Sequence, residues 1–137
     1  MNFLGEKVEY GVKIREEFAK KNIERILKAI NPQKFILYPY GKWGKWAENL
    51  IYEKYGLKPY LIIDNQAVDE KANIYPVSKL SDIDCNAVII ITCEKAELCS
   101  KLADSVKSIG KDYKTDFMFS KNGLPTEVKE FWIKKAI

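Results

Sequence analysis

Two glycines, two lysines and one aspartate are spaced so that they could do chemistry together. The stretch Tyr38-Pro-Tyr-Gly-Lys-Trp-Gly44 follows a short apolar run and opens into a helical pattern, and Asp64 closes a second apolar run 20 residues beyond Gly44. Glycine at such a bend lets the backbone turn tightly and lets its amides approach an anion. A carboxylate about twenty positions further on is where a ribose hydroxyl can be held. The spacing is that of G-x-G-x-x-G, with Pro39 where the first glycine would stand. Proline removes one backbone donor and fixes its own φ, so the bend is expected to be reshaped. On this reading the amides of Tyr40, Gly41 and Lys42 face a phosphate, and Gly44 lets helix and strand pack closely. Asp64 holds the sugar with Asn65 beside it, and Cys93 and Glu94 line the far lip.

Lys42 and Lys45 flank the expected helix start, where cations oppose the helix macrodipole. A bound anion would reconcile them with that position; a lysine-rich surface is the alternative. Trp43 and Trp46 are spaced as core residues, with stacking on a base or sugar as the second reading. Cys93 stands just beyond a strand tip and at an expected helix start, where the helix field would lower a thiol's pKa. The chain has no histidine. It therefore lacks the commonest general base and the usual partner of a nucleophilic cysteine or serine. Asp82-Ile-Asp84 has the Asp-x-Asp form used in metal-dependent glycosyl transfer. It precedes a strand, however, and so falls at the opposite end of the sheet, where a solvated loop explains it. No Tyr-x-x-x-Lys pair follows the Ala87 strand, so hydride transfer is not indicated.

The elements that must position these residues alternate. Residues 6–30 form a helical pattern with Phe18, Ile23, Ile26, Leu27 and Ile30 on one face, stopped by Asn31-Pro32. Phe35–Tyr38 reads as a buried strand. A helix from Lys42, striped by Trp43, Trp46, Ala47, Leu50 and Ile51, ends at the Gly56 cap. Tyr60–Ile63 is a second strand, Gln66–Asn73 a loop, Ile74–Val77 a short edge segment, and Ser78–Ile83 a helical turn. Ala87–Thr92 is β-branched and apolar on both faces, the mark of a strand in a parallel sheet covered on both sides. Glu94–Ile109 is an amphipathic helix with Leu98, Cys99, Leu102, Ala103 and Val106 inward. Phe117–Phe119 is read as a last strand, followed by a turn at Asn122-Gly123 and a helix from Thr126 to Ala136. The predicted fold is α/β, three layers around a small, mainly parallel sheet of about four strands, in one domain. An N-terminal helical extension (1–31), a core (33–120) and a C-terminal helix (124–137) divide it. Right-handed crossovers place the second strand on one side of the first and the Ala87 strand on the other. The crevice then opens where Tyr38, Asp64 and Thr92 end.

Composition sets the outer limits. The 137 residues are 47% apolar and 31% charged, an ordinary globular balance, with a net charge of +4. Only Arg15 and Arg25 are arginines, and the lysines are interleaved with acids, so nucleic-acid binding is not expected. Three cysteines without C-x-x-C spacing suggest neither a disulfide framework nor a zinc site. With no signal-peptide core and no long apolar stretch, a cytoplasmic protein without membrane association is expected.

The segments Tyr38-Pro-Tyr-Gly-Lys-Trp-Gly44, Ile63-Asp-Asn65, Tyr75-Pro-Val-Ser-Lys-Leu80 and Asn86-Ala-Val-Ile-Ile90 fall in order. Together they resemble a Rossmann-like module of bacterial sugar-modifying proteins, found beside methyltransferases of polysaccharide pathways and in related nucleotide-sugar proteins. The resemblance covers rather more than half the chain and departs from the pattern at Pro39. It implies a crevice for a nucleotide or nucleotide sugar in a surface-carbohydrate context and carries no catalytic set. The leading expectation is a non-catalytic domain binding a nucleotide, a dinucleotide such as NAD(P), or a nucleotide sugar. Two alternatives stand beside it. One is an interaction or assembly module with a decayed nucleotide site, as a homodimer or with a partner enzyme of a sugar pathway. The other is a small sugar-modifying enzyme.

Overall fold

A computed structural model describes residues 3–30, 34–83 and 86–119, with side chains from residue 13 onward. The first helix, α1 (Phe3–Ile30), leads into β1 (Lys34–Tyr38). Then come α2 (Lys42–Tyr55), β2 (Leu61–Ile63), β3 (Ile74–Tyr75), β4 (Ala87–Ile91), α3 (Ala96–Lys107) and β5 (Lys114–Phe117). The five strands form one parallel sheet in the order β3-β2-β1-β4-β5. This is a Rossmann-like α/β layout. The second strand lies on one side of the first and the Ala87 strand on the other, as expected; the sheet has one strand more than the sequence suggested.

Alternation along each strand divides the core in two. Phe35, Leu37, Ile62, Val88 and Ile90 face one side and pack with Ile23, Ile26 and Leu27 of α1 and Ala47 and Ile51 of α2. Ile36, Tyr38, Leu61, Ile63, Ile89 and Ile91 face the other, against Val106 of α3 and Leu80. The α1 face named from periodicity is buried throughout: Phe18, Ile23, Ile26, Leu27 and Ile30 are at most 8% exposed. Arg25 of α1 grips Asp116 of β5 with two bonds of 3.0 Å, tying the first helix to the last strand.

Several boundaries differ from the sequence reading. The last strand is Lys114–Phe117 rather than Phe117–Phe119; Met118 is fully buried just past its end, and Phe119 stacks on Phe18 with centroids 6.0 Å apart. Leu98, expected inward, is 42% exposed: it stands in the first turn of α3, whose buried residues, Ala103 and Val106, come in the later turns. The 66–73 loop holds a 3-10 turn at Glu70–Ala72, and a second covers Val77–Ser81. Beside it, Asp69 bridges antiparallel to Ile74, exchanging both backbone bonds (2.9 and 3.0 Å) along the outer side of β3. The Asn31-Pro32 stop, Cys85, the Asn122-Gly123 turn and the expected C-terminal helix lie outside the described residues.

Candidate functional site

Strand order reverses at β1: the chain moves outward through β2 and β3, then returns to β4 on the far flank. Crevices of open parallel sheets form at such a switch point, beyond the carboxyl ends of the strands. Here those ends carry Tyr38-Pro39-Tyr40 and Thr92-Cys93. The Tyr38–Pro39 peptide is cis.

The bend is locked from below. Thr92, 1% exposed, donates its hydroxyl to the Pro39 carbonyl at 2.7 Å, and its amide reaches the Tyr38 carbonyl at 2.9 Å. Gly44 lies so close that a Cβ there would meet the Pro39 oxygen at 2.3 Å. Close packing of helix on strand, the role expected of Gly44, is what the geometry requires. Gly41 is different. Its φ of −89° is ordinary, and a Cβ there would meet nothing within 4 Å. Neither the backbone nor packing demands glycine at 41.

Gly41 is the N-cap of α2 and, having no side chain, makes no side-chain cap. The first backbone bond runs from the Lys45 amide to the Gly41 carbonyl at 3.0 Å, so the Lys42, Trp43 and Gly44 amides precede the ladder. No acid occupies the first turn. Lys42 and Lys45 are exposed, and the Lys45 ammonium lies 5.6 Å from the Tyr40 ring centroid. The helix end and these two side chains therefore both contribute positive potential at the tip.

Asp64 stands across the bend. Its Oδ2 accepts from the Tyr40 amide at 3.0 Å and its Oδ1 from the Gln66 amide at 2.8 Å. The carboxylate thus stitches the β1–α2 bend to the tip of β2. The Tyr40 amide, expected to face phosphate, is committed to this stitch because Asp64 meets it first; among the described residues nothing takes the Gly41 and Lys42 amides. Asn65 accepts from the Val77 amide at 2.8 Å, which fixes the β3 exit. Each Asp64 oxygen retains acceptor capacity, and the residue is half-buried.

The aromatic side chains leave the helix tip open. Trp43 meets Phe119 edge-on at 4.9 Å and Trp46 at 5.3 Å, so both indoles serve packing, as their spacing suggested. The Tyr40 phenol runs along α2 to donate to Glu48 at 2.6 Å. That bond, burial and the carboxylate's charge raise the phenol's pKa from 10.0 to about 12.

Cys93 is buried with its sulfur 3.5 Å from the Lys95 carbonyl, and α3 begins three residues later at Ala96. It is not at a helix start, so the expected helix field does not act on it directly. Glu94 is exposed and lies 3.6 Å from Arg15. Asp82 is exposed ahead of β4, away from the strand tips, and Asp84 lies outside the described residues. Sequence reasoning missed Thr92 and Glu48 as partners of the bend. A hydroxyl residue ending an otherwise apolar strand was the available signal for Thr92; Glu48 gave none.

A separate groove of about 490 Å³ runs between α2 and the β2–β3 edge, lined by Glu48, Tyr52, Lys58 and Asn73 among others. No helix among the described residues is long and apolar enough to cross a membrane. The fold and the bend define the class, a Rossmann-like parallel α/β domain with an uncapped helix tip at its switch point. Comparison with protein-family models, curated proteins and solved structures gives no match.

Proposed function

We propose that this chain is a non-catalytic binding domain for a nucleotide-type ligand, a nucleotide, dinucleotide or nucleotide sugar, seated at the tip of α2. The observation that carries the reading is Gly41, a glycine with no structural need to be one, at a helix start that has two lysines and no acid in its first turn. An N-cap Ser or Asp would stabilise the helix by a few tenths of a kcal/mol or more over glycine. A bare backbone there suits an anion that must come close. In this reading the Gly41 and Lys42 amides bind phosphate, Lys42 and Lys45 add charge, and Asp64 offers its remaining acceptor sites to ribose hydroxyls. NAD(P) and nucleotide sugars both fit that donor and acceptor set. The sequence resemblance favours the sugar nucleotides and a cytoplasmic place in surface-carbohydrate synthesis.

Thermal unfolding with NAD, UDP-sugars, GDP-sugars and S-adenosylmethionine tests it. A ligand at one hundred times its Kd stabilises by about 2.7 kcal/mol. Gly41→Asp, which puts a carboxylate where phosphate would sit, should abolish the response while leaving the fold at least as stable. The absence of any shift across the panel would overturn the reading.

A second reading, an assembly module, rests on Tyr52, Leu57 and Tyr60, which are 54%, 46% and 39% exposed within one short stretch at the α2–β2 corner. Under it the chain self-associates through that corner, and Tyr52→Ser with Leu57→Ser lowers the mass seen by light scattering. A monomer at every concentration removes self-association.

A further inference from the structure

Cys93 and Cys99 flank the step from β4 into α3. The Cys99 thiol donates to the backbone carbonyl of Cys93 at 3.1 Å, while the Cys93 thiol is directed at the Lys95 carbonyl at 3.5 Å. Both thiols are free, and both belong to the apolar cluster on the α3 face of the sheet. Cys93 is 9% exposed and Cys99 is half-buried, so the pair has an open member and a closed one. Cys93, expected on the lip of the crevice, has its sulfur turned to the Lys95 carbonyl.

We propose that Cys93 and Cys99 are an oxidative modification site, which closes to an intramolecular disulfide by exchange with a low-molecular-weight disulfide. Cys99, the open member, enters first. Its thiolate attacks one sulfur of the small disulfide; a mixed disulfide forms, the original S–S bond breaks, and one small thiolate departs. The Cys93 thiolate then attacks Cys99 Sγ and displaces the second small thiolate. The two protons lost by the protein thiols pass through solvent to the two leaving thiolates. Two protein thiols are oxidised by two electrons, and one small disulfide is reduced to two thiols.

Burial and the adjoining Cys93 thiol push the Cys99 thiol up to about 12. Exchange is therefore slow near neutrality, because the attacking thiolate is scarce. The linkage would fasten the segment after Thr92, whose hydroxyl holds the Pro39 carbonyl, to the first turns of α3. Oxidation would thus stiffen one lip of the bend whether or not that bend takes a nucleotide.

The test uses the full chain with oxidised glutathione at pH 8, quenched in acid, digested with trypsin without reductant and read by mass spectrometry. Cleavage after Lys95 separates Cys93 from Cys99, and a Cys85→Ser background removes the other cysteine from the Cys93 peptide. The expected product joins the two peptides with the loss of two hydrogens, and its rate rises roughly tenfold per pH unit from 7 to 9. Cys93→Ser should stall at a glutathione adduct on Cys99. An adduct that never resolves in the Cys85→Ser chain overturns the proposal. So does a linkage that in the unaltered chain runs mainly through Cys85, or a folded chain that loses no thiols. The mapping on the unaltered chain stands even if a serine variant fails to fold.

Discussion

Replacing Gly44 by alanine tests the central packing claim, that the bend after β1 is closed on its underside. The added Cβ would lie 2.3 Å from the Pro39 oxygen, 3.3 Å from its carbonyl carbon and 3.4 Å from Thr92 Oγ1. The nearest of these is backbone, and the same oxygen already accepts the Thr92 hydroxyl at 2.7 Å. Relief requires the helix to lift from the strand by about an ångström, a disturbance in the class of overpacking that costs about 1–3 kcal/mol. Weakening the buried Thr92 bond adds about 1 kcal/mol. Alanine's better helix propensity returns about 1 kcal/mol. The net expectation is a loss of about 1–3 kcal/mol, or roughly 4–12 °C in Tm at about 4 °C per kcal/mol for a domain of this size. Gly41→Ser is the matched control, since that Cβ meets open space and the new hydroxyl can cap α2. It should gain a few tenths of a kcal/mol or stay level. Circular dichroism melts of the two variants beside the parent read both signs. A Gly44→Ala protein as stable as the parent would show that the Pro39 carbonyl does not sit where the argument needs it.

Further expectations concern the groups around the bend and the seam between α1 and the sheet. The Tyr40 phenol, whose pKa rises from 10.0 to about 12 on folding, holds its proton more tightly in the folded state. Its contribution is therefore full below pH 10 and fades as pH climbs from 10 toward 12. Tyr40→Phe should remove a phenol that titrates near pH 12 from the ultraviolet titration and flatten stability over that window; an unchanged titration would refute the Glu48 bond. Asp116→Ala strips Arg25 of two 3.0 Å bonds at a half-buried site and should cost about 1–2 kcal/mol in urea unfolding. Arg25→Ala should cost a similar amount, and the double variant little more than either single one. Additive losses would mean that the two side chains act independently.

Much of the architecture was legible because β1, β2 and β4 are short, mainly apolar runs set between helices of clear period. Ala87–Ile91 could be little else, and α1 displayed its buried stripe from Phe18 to Ile30. The end of the sheet was harder. Lys114-Thr-Asp-Phe117 carries no apolar run, because β5 is the outermost strand among the described residues and its Asp116 is satisfied by Arg25, 91 residues away in sequence. The apolar Met118 and Phe119 drew the reading past it. Leu98 misled in a similar way: its period fitted α3, but it lies in the first turn, ahead of the residues that are buried. At the site, the spacing of Gly44 and Asp64 was readable. Which backbone donors Asp64 would take was not, since that depends on how closely the tips of β1 and β2 approach. The division of labour between the two glycines likewise emerged only from the position of the Pro39 carbonyl.

The small antiparallel bridge at Asp69 and Ile74 decides how this protein can meet a partner edge to edge. By folding back on β3, the chain occupies the hydrogen-bonding groups that would otherwise recruit a foreign strand, and it places an acidic residue there. Among the described residues, lateral extension of the sheet is thereby left to the β5 flank. A strand-adding partner would have to pair beside Asp116 and alter the very segment that α1 grips. Any association by that route would be felt at the first helix.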